Sequence, residues 1–288
     1  MTVQEWRNKG RFISVNQQSV FVIDTEKDST KETLVILHGY PTSTYDYYKV
    51  LPELSKHYRV ILHDHIGFGF SDKPLGYSYT LIDQASVALQ IWKQLGLLKV
   101  ILLAHDYGTS VATEILARHK TNEIDVQIDK LLLCNGSMHI ELSQLRTIQK
   151  LLKGRFGKYV AKLTNYFIFS KNVRNVYFDK TKVSNQELQQ MWEQIEYNSG
   201  KKVIHLVSDY INQRYTYWDR WIGALKETKI PTKIIWAKED PVAVKEIAEL
   251  LATEIPNNEL FWIEKCGHFP MLEKPKEWTG LVLKDTIL

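Results

Sequence analysis

Short, almost continuous apolar runs recur along the first half of the chain: TLVIL (33–37), YRVIL (58–62), KVILL (99–103) and IDKLLL (128–133). A strand buried on both faces has this signature, because neither face has to meet water. Between the runs, the spacing predicts helices over 45–56, 81–96 and 107–120. Residues 11–24 read as two strands around a polar turn. Strands that alternate with helices predict an α/β architecture, a parallel sheet covered on both sides. The alternation stops near 138, and the next stretch is helical and polar in pattern, with no strand-like run. It resumes with TKIIWA (232–237), a helix over 242–253, ELFWI (259–263) and a final helix over 275–287. The chain is therefore expected to divide into a first core segment (1–137), a helical insertion (138–223) and a second core segment (224–288).

Composition sharpens this picture. A chain of 288 residues, 44% hydrophobic and 24% charged, is ordinary globular usage and excludes disorder, collagen and coiled coil as the main architecture. No run approaches the ~18 apolar residues of a membrane span. The first residues lack the apolar core of a secretory signal. The two cysteines, Cys134 and Cys266, read as reduced packing thiols. A cytoplasmic location is the expectation from these features. Lys and Arg number 37 against 33 Asp and Glu, too small an excess to expect a nucleic-acid partner. The charge is uneven, however. Residues 138–223 hold 14 basic and 7 acidic side chains, and 14 of the 33 aromatics. Aromatic enrichment fits a lid over an apolar pocket, which makes a small apolar molecule the expected substrate. The basic excess would attract an anionic partner, and a solvated face explains it equally simply.

The segment richest in chemistry is KVILLAHDYGTSVATEILARH (99–119). Ala104 and Gly108 flank Asp106 at distance two, so a tight strand-to-helix turn is sterically open there. Such a turn exposes its central residue at the carboxyl end of the sheet, where ligand sites of open α/β sheets lie. A nucleophile elbow has this frame, here with Asp in place of Ser. The competing reading is that Asp106 only caps the following helix. The loop after 33–37, His38-Gly39-Tyr40-Pro41, occupies the place of a second oxyanion donor, and Tyr107 would supply the first through its free helix-start N–H. His63, Asp64 and His65 suggest a metal site, but adjacent residues on an extended chain point to opposite faces, and the segment reads as a structural turn. Asp240 follows the strand at 232–237, and His268 follows the last strand. Nucleophile, acid and base thus come in the chain order Asp106, Asp240, His268.

With HGYPTSTYDYYK, IGFGFSDKP, AHDYG, NYFIFS and YINQR…RWIGAL, the sequence resembles the α/β-hydrolase superfamily, in its aspartate-nucleophile branch of epoxide hydrolases and haloalkane dehalogenases. The resemblance runs from about residue 33 to the C-terminus. It implies a mostly parallel eight-stranded sheet with a helical cap inserted after the sixth strand, and a cofactor-independent hydrolase. It implies Asp106 as nucleophile, Asp240 as acid and His268 as a base that is neutral at pH 7, with the amides of Tyr40 and Tyr107 as oxyanion hole. Dehalogenases of this branch carry Trp after the nucleophile and often Asn after His-Gly, where this chain has Tyr107 and Tyr40. Epoxide hydrolases use lid tyrosines as proton donors, which points to Tyr210 and, for the first donor, Tyr166. Trp192 is a further candidate for substrate contact, or packs the lid. Arg214 would bind an anionic substrate or pair with Asp209 or Asp219. Asn135 cannot act as the acid that some dehalogenases place after the sixth strand. His105 is expected to point away from the site. An epoxide hydrolase is the first reading. A dehalogenase-like hydrolase, an ester or lactone hydrolase, and a ligand-binding protein without turnover stay open.

Overall fold

The computed structural model describes residues 1–26 and 30–285. One eight-stranded sheet organises it: β1 (Arg11–Val15), β2 (Gln18–Asp24), β3 (Thr33–Leu37), β4 (Arg59–His63), β5 (Lys99–His105), β6 (Gln127–Cys134), β7 (Thr232–Ala237) and β8 (Asn258–Ile263). The spatial order is β1-β2-β4-β3-β5-β6-β7-β8. β2 pairs antiparallel with β1 and β4, and every other pairing is parallel. In β3, Leu34 to Leu37 are fully buried, as their unbroken apolar run requires. β5 continues two residues beyond its predicted end and carries the backbone to His105.

Several elements depart from the sequence expectation. The helix expected over 45–56 is two pieces, a 3-10 turn at Thr44–Tyr47 and a helix at Leu51–His57. Pro52, which has no N–H to give, sits in the first turn of the second piece. A short helix at Val3–Arg7, absent from the periodicity, buries Trp6, whose indole N–H donates to Thr44 Oγ1 at 3.2 Å. The last helix is Pro275–Leu283, so it ends before residues 284 and 285, and 286 and 287 of the expected helix lie outside the described residues.

Between β6 and β7 the described chain is helical, from Thr147–Leu152 through Gly157–Leu163, Tyr166–Arg174, Asn185–Glu196 and Tyr210–Thr216 to Trp218–Glu227. The last of these runs past residue 223 because it lies along the core helix Tyr107–Lys120. Glu114, a buried carboxylate of that core helix, joins the two. It accepts from Arg118 Nε at 2.9 Å, from Arg220 Nε and Nη2 at 2.8 and 3.1 Å, and from the Trp221 indole at 2.9 Å. These bonds and its cationic partners hold its carboxyl below the usual range although burial alone would raise it.

Glu114→Ala removes the acceptor and leaves two guanidiniums facing each other. The expected loss is ~2–3 kcal/mol in urea unfolding, less than the ~3–5 kcal/mol of a fully buried pair because Arg220 can turn to water. A change below ~0.5 kcal/mol would show that the contact does not hold the two helices together.

Candidate active site

Asp106 stands between β5 and the helix Tyr107–Lys120, with φ 46° and ψ −108°. A non-glycine residue in this left-handed region costs ~1–3 kcal/mol and persists only where neighbours enforce it. The enforcement comes from close backbone approach. A Cβ added at Gly108 would lie 2.3 Å from the Leu37 carbonyl oxygen, so helix and β3 touch through the glycine. The carboxylate of Asp106 makes no capping bond to the helix, which removes the capping reading.

Its Oδ2 instead lies 3.2 Å from His268 Nε2, while Oδ1 is buried without a protein partner. His268 Nδ1–H donates to Asp240 Oδ2 at 2.7 Å. Asp240 Oδ1 accepts the Val242 and Ala243 amides at 2.7 and 3.1 Å. These bonds fix the carboxylate in the turn after β7. The loop that carries His268 follows β8 and is tied on both sides. The His268 amide donates to the Val176 carbonyl at 2.8 Å, and His105 Nε2–H donates to the His268 carbonyl at 2.8 Å. His105 is absent from the cavity wall and braces the main chain of that loop.

Two residues of this constellation were not legible as parts of it. Asn135, at the end of β6 with φ 41°, donates through Nδ2 to Asp240 Oδ2 at 2.8 Å and accepts the Ala237 amide at 3.0 Å. It orients the Asp240 carboxylate. Its position one residue beyond a buried strand was the available signal. Arg214 is buried and pairs with neither Asp209 nor Asp219. Its Nε–H donates to Ser110 Oγ at 2.7 Å and its Nη2–H to the Asp106 carbonyl at 3.0 Å, with the guanidinium 4.7 Å from the Tyr210 ring centroid. A cation from the helical segment therefore holds the backbone of the elbow.

The charges set the proton inventory. Burial alone would lower His268, but Asp240 and Asp106 attract its proton and raise it to about 10. Burial would raise Asp106, yet the His268 hydrogen bond and charge, with Arg214 next, bring it below its ordinary value. Where a neutral base is expected from the sequence, the two buried carboxylates on either side of His268 favour its protonated form before any chemistry takes place.

The five tyrosine and tryptophan candidates divide. Tyr40 lines the cavity, and its hydroxyl pairs with Ser208 Oγ at 2.9 Å. The loop before it approaches the elbow closely, since a Cβ at Gly39 would lie 3.0 Å from Asp106 Cβ. Tyr107 is buried against Phe68 and Tyr210 at centroid distances of 5.1 and 5.2 Å, and its N–H opens the helix. Tyr210 is buried one layer behind the wall. Its hydroxyl accepts from Gln149 Nε2 at 3.1 Å, and Gln149 is part of the wall. Burial pushes the Tyr210 hydroxyl well above its usual range, so the proton is retained at neutral pH. Tyr166 is not part of the site. Asn165 caps its helix by accepting the Ile168 amide at 3.0 Å, and the helix turns Ile168, Phe169, Asn172 and Val173 to the cavity. That rotation points Tyr166 outward, where its hydroxyl donates to the Asn185 carbonyl at 3.3 Å. Trp192 also misses the wall and packs behind Phe169 at 5.5 Å. In the turn at 63–65, Asp64 accepts from the Thr44 amide and hydroxyl and from the Phe70 amide, at 2.7–2.9 Å.

Asp106 and His268 open on a cavity of about 80 Å³ between the sheet and the helical segment, walled mainly by apolar side chains such as Ile148, Phe169 and Val242. A strained aspartate in the strand-to-helix turn of a mostly parallel eight-stranded sheet, bonded to a histidine and through it to a second aspartate that follow in the chain, defines a class. The chain belongs to the α/β-hydrolase family, whose profile, described as alpha/beta hydrolase fold, matches residues 32–275. It is similar to a Mycobacterium tuberculosis protein, LipZ, whose name assigns it only to the hydrolases, at 34% identity over 98% of this chain and 97% of that one. It is 37% identical to the human mesoderm-specific transcript homolog protein, over 95% of this chain and 84% of that protein. Among solved structures, the haloalkane dehalogenase DbeA from Bradyrhizobium elkani superposes with a TM-score of 0.80 at 18% identity, covering 95% of both chains.

The raised His268 has a thermodynamic signature. Its folded proton affinity exceeds the unfolded one, so its stabilising contribution is complete below pH ~6.5 and is lost as pH rises through about 10. Wild type is therefore expected to lose urea stability relative to His268→Gln between those limits. Parallel pH profiles of the two proteins would contradict the imidazolium.

Proposed function

We propose that this hydrolase works through a covalent ester on Asp106, and that its substrates are epoxides, which it converts to vicinal diols. The observation that carries the reading is the division of labour between the two Asp106 oxygens. One is held by His268, and the other is buried, unpartnered and part of a residue that lines the cavity. A carboxylate attacking an ester would form an anhydride, a high-energy product. Attack on saturated carbon gives an ordinary alkyl ester, so the fitting leaving groups depart from sp³ carbon.

In the first half-reaction Asp106 Oδ1 forms the new C–O bond as the epoxide C–O bond breaks. The alkoxide that departs needs a proton. The Tyr210 hydroxyl, which accepts from Gln149 and so keeps its hydrogen available, donates it once the substrate has displaced the Gln149 side chain. The His268 proton replenishes Tyr210. Esterification removes the Asp106 charge, one of the two that raise His268, so the imidazole left behind is neutral and basic. In the second half-reaction His268, held by Asp240, takes a proton from water, and the hydroxide adds to the ester carbonyl. The ester carbonyl oxygen is the former Oδ2, so the ester turns it from His268 towards the amides of Tyr40 and Tyr107, which receive the oxyanion. Collapse releases the diol and returns the Asp106 anion and the His268 imidazolium. Charge and protons balance over the cycle, and no cofactor enters it. Halide departure fits less well, since among the described wall residues there is no indole to receive the ion.

His268→Gln should still be alkylated but stall before hydrolysis. After exposure to panels of epoxides, haloalkanes and activated esters, intact-mass and peptide mapping should find the mass of a whole epoxide on the peptide that holds Asp106. An increment of an alkyl group without its halogen would instead identify a dehalogenase. No adduct, with wild type also inactive on every panel, would sink the alkyl-ester reading. Tyr210→Phe should slow alkylation ~10²-fold while leaving hydrolysis of a preformed ester almost unchanged, the range of a lost general acid.

A further inference from the structure

The helices that wall the cavity have a second face that the chemistry does not use. Residues 146–174 hold eight basic side chains and no acidic one. The same stretch supplies five of the eleven exposed large hydrophobics among the described residues. Leu151, Phe156, Tyr159, Leu163 and Phe167 are between 51 and 74% exposed. Scattered single apolar residues on a surface need no explanation, but a cluster of large ones does.

The geometry is that of an interfacial face. Phe156, at the cap of the helix Gly157–Leu163, is followed by Tyr159 and Leu163 at spacings of three and four, so the three share one side of the helix. Lys158 and Lys162, also four apart, flank that side. With Lys201, Lys202 and His205 they border an open depression of about 720 Å³, where Glu196 is the only acid among the described lining residues. Arg155 lies 5.9 Å from the Phe156 ring, and Lys153 lies 5.8 Å from the ring of the half-exposed Tyr215. The helices before and after Gly157–Leu163, namely Thr147–Leu152 and Tyr166–Arg174, line the active-site cavity through Ile148, Leu152, Ile168 and Phe169.

We propose that this face docks on a bilayer of anionic phospholipid, with Phe156, Tyr159, Leu163 and Phe167 entering the headgroup layer and the lysines beside them meeting the phosphates. Charge selects the occupant. A second copy joined through the same patch would bring Lys153, Arg155, Lys158 and Lys162 against their own like charges, with no anion from this segment between them. An anionic lipid surface answers both the charge and the aromatic tips. Among the described residues no helix is long and apolar enough to cross a membrane, so the contact is peripheral. The surface does not depend on the chemistry proposed above, and its test does not read activity.

The full chain would be sedimented with vesicles of phosphatidylcholine alone and of equimolar phosphatidylcholine and phosphatidylglycerol. We expect partition onto the anionic vesicles, weakened by high salt, and little onto the neutral ones. Lys158→Glu with Lys162→Glu, and separately Phe156→Ser with Phe167→Ser, should each lower partition at least ~10-fold. Circular dichroism and thermal melting should be unchanged, because the side chains are exposed. Wild type left in the supernatant with anionic vesicles would overturn the proposal, as would variants that bind like wild type. Light scattering that shows a dimer lost in the Phe156/Phe167 variant would likewise overturn it and assign the face to self-association.

Discussion

Two carboxylates, Asp106 and Asp240, are buried within reach of one imidazole, and much of the site is arranged to make that tolerable. A lone buried carboxylate costs several kcal/mol and takes up a proton instead. Here His268 bridges the pair at 3.2 and 2.7 Å, and Asp240 has two backbone amides and Asn135 besides. The sheet order makes this possible. It sets β5, β6, β7 and β8 side by side, so four successive strand ends deliver Asp106, Asn135, Asp240 and the His268 loop to one edge.

The helical segment between β6 and β7 is part of this electrostatic arrangement as well as a roof. Arg214 comes from that segment, and its bond to the Asp106 carbonyl places a guanidinium beside the same residue that His268 holds. Two carboxylates, an imidazole and a guanidinium therefore share the buried site, and in the proposed cycle an ester on Asp106 would remove one of the two negative charges that raise His268, which couples the chemical state of Asp106 to the proton affinity of its neighbour.

The fold was largely readable because its parallel strands are buried on both faces, and β3, β5 and β7 announce themselves as unbroken apolar runs. The chain order of Asp106, Asp240 and His268 was readable too, since each follows a strand. What failed was whatever depends on rotation or proximity in space. Tyr166 was chosen by its distance along the chain, but the Asn165 cap determines which side of that helix faces the cavity. The proton affinity of His268 depends on Asp240 first and on Asp106, 162 residues away in sequence, next, and the combined pull of two buried carboxylates on one ring cannot be read from spacing. Arg214 looked like a partner for nearby acids because its true partners, Ser110 and the Asp106 carbonyl, lie more than a hundred residues upstream.

The position of the helical segment within the sheet has a consequence for synthesis. The ribosome delivers the chain from its N-terminus, so β6 emerges with Asp106 already behind it while β7 is still about a hundred residues from being made. During that interval the inner edge of a growing sheet stands open, with Leu131 to Cys134 lacking the neighbour they later pair with. Asp106 meanwhile has neither His268 nor Asp240 beside it, and the three come together only when β7, β8 and the loop after them have closed the sheet.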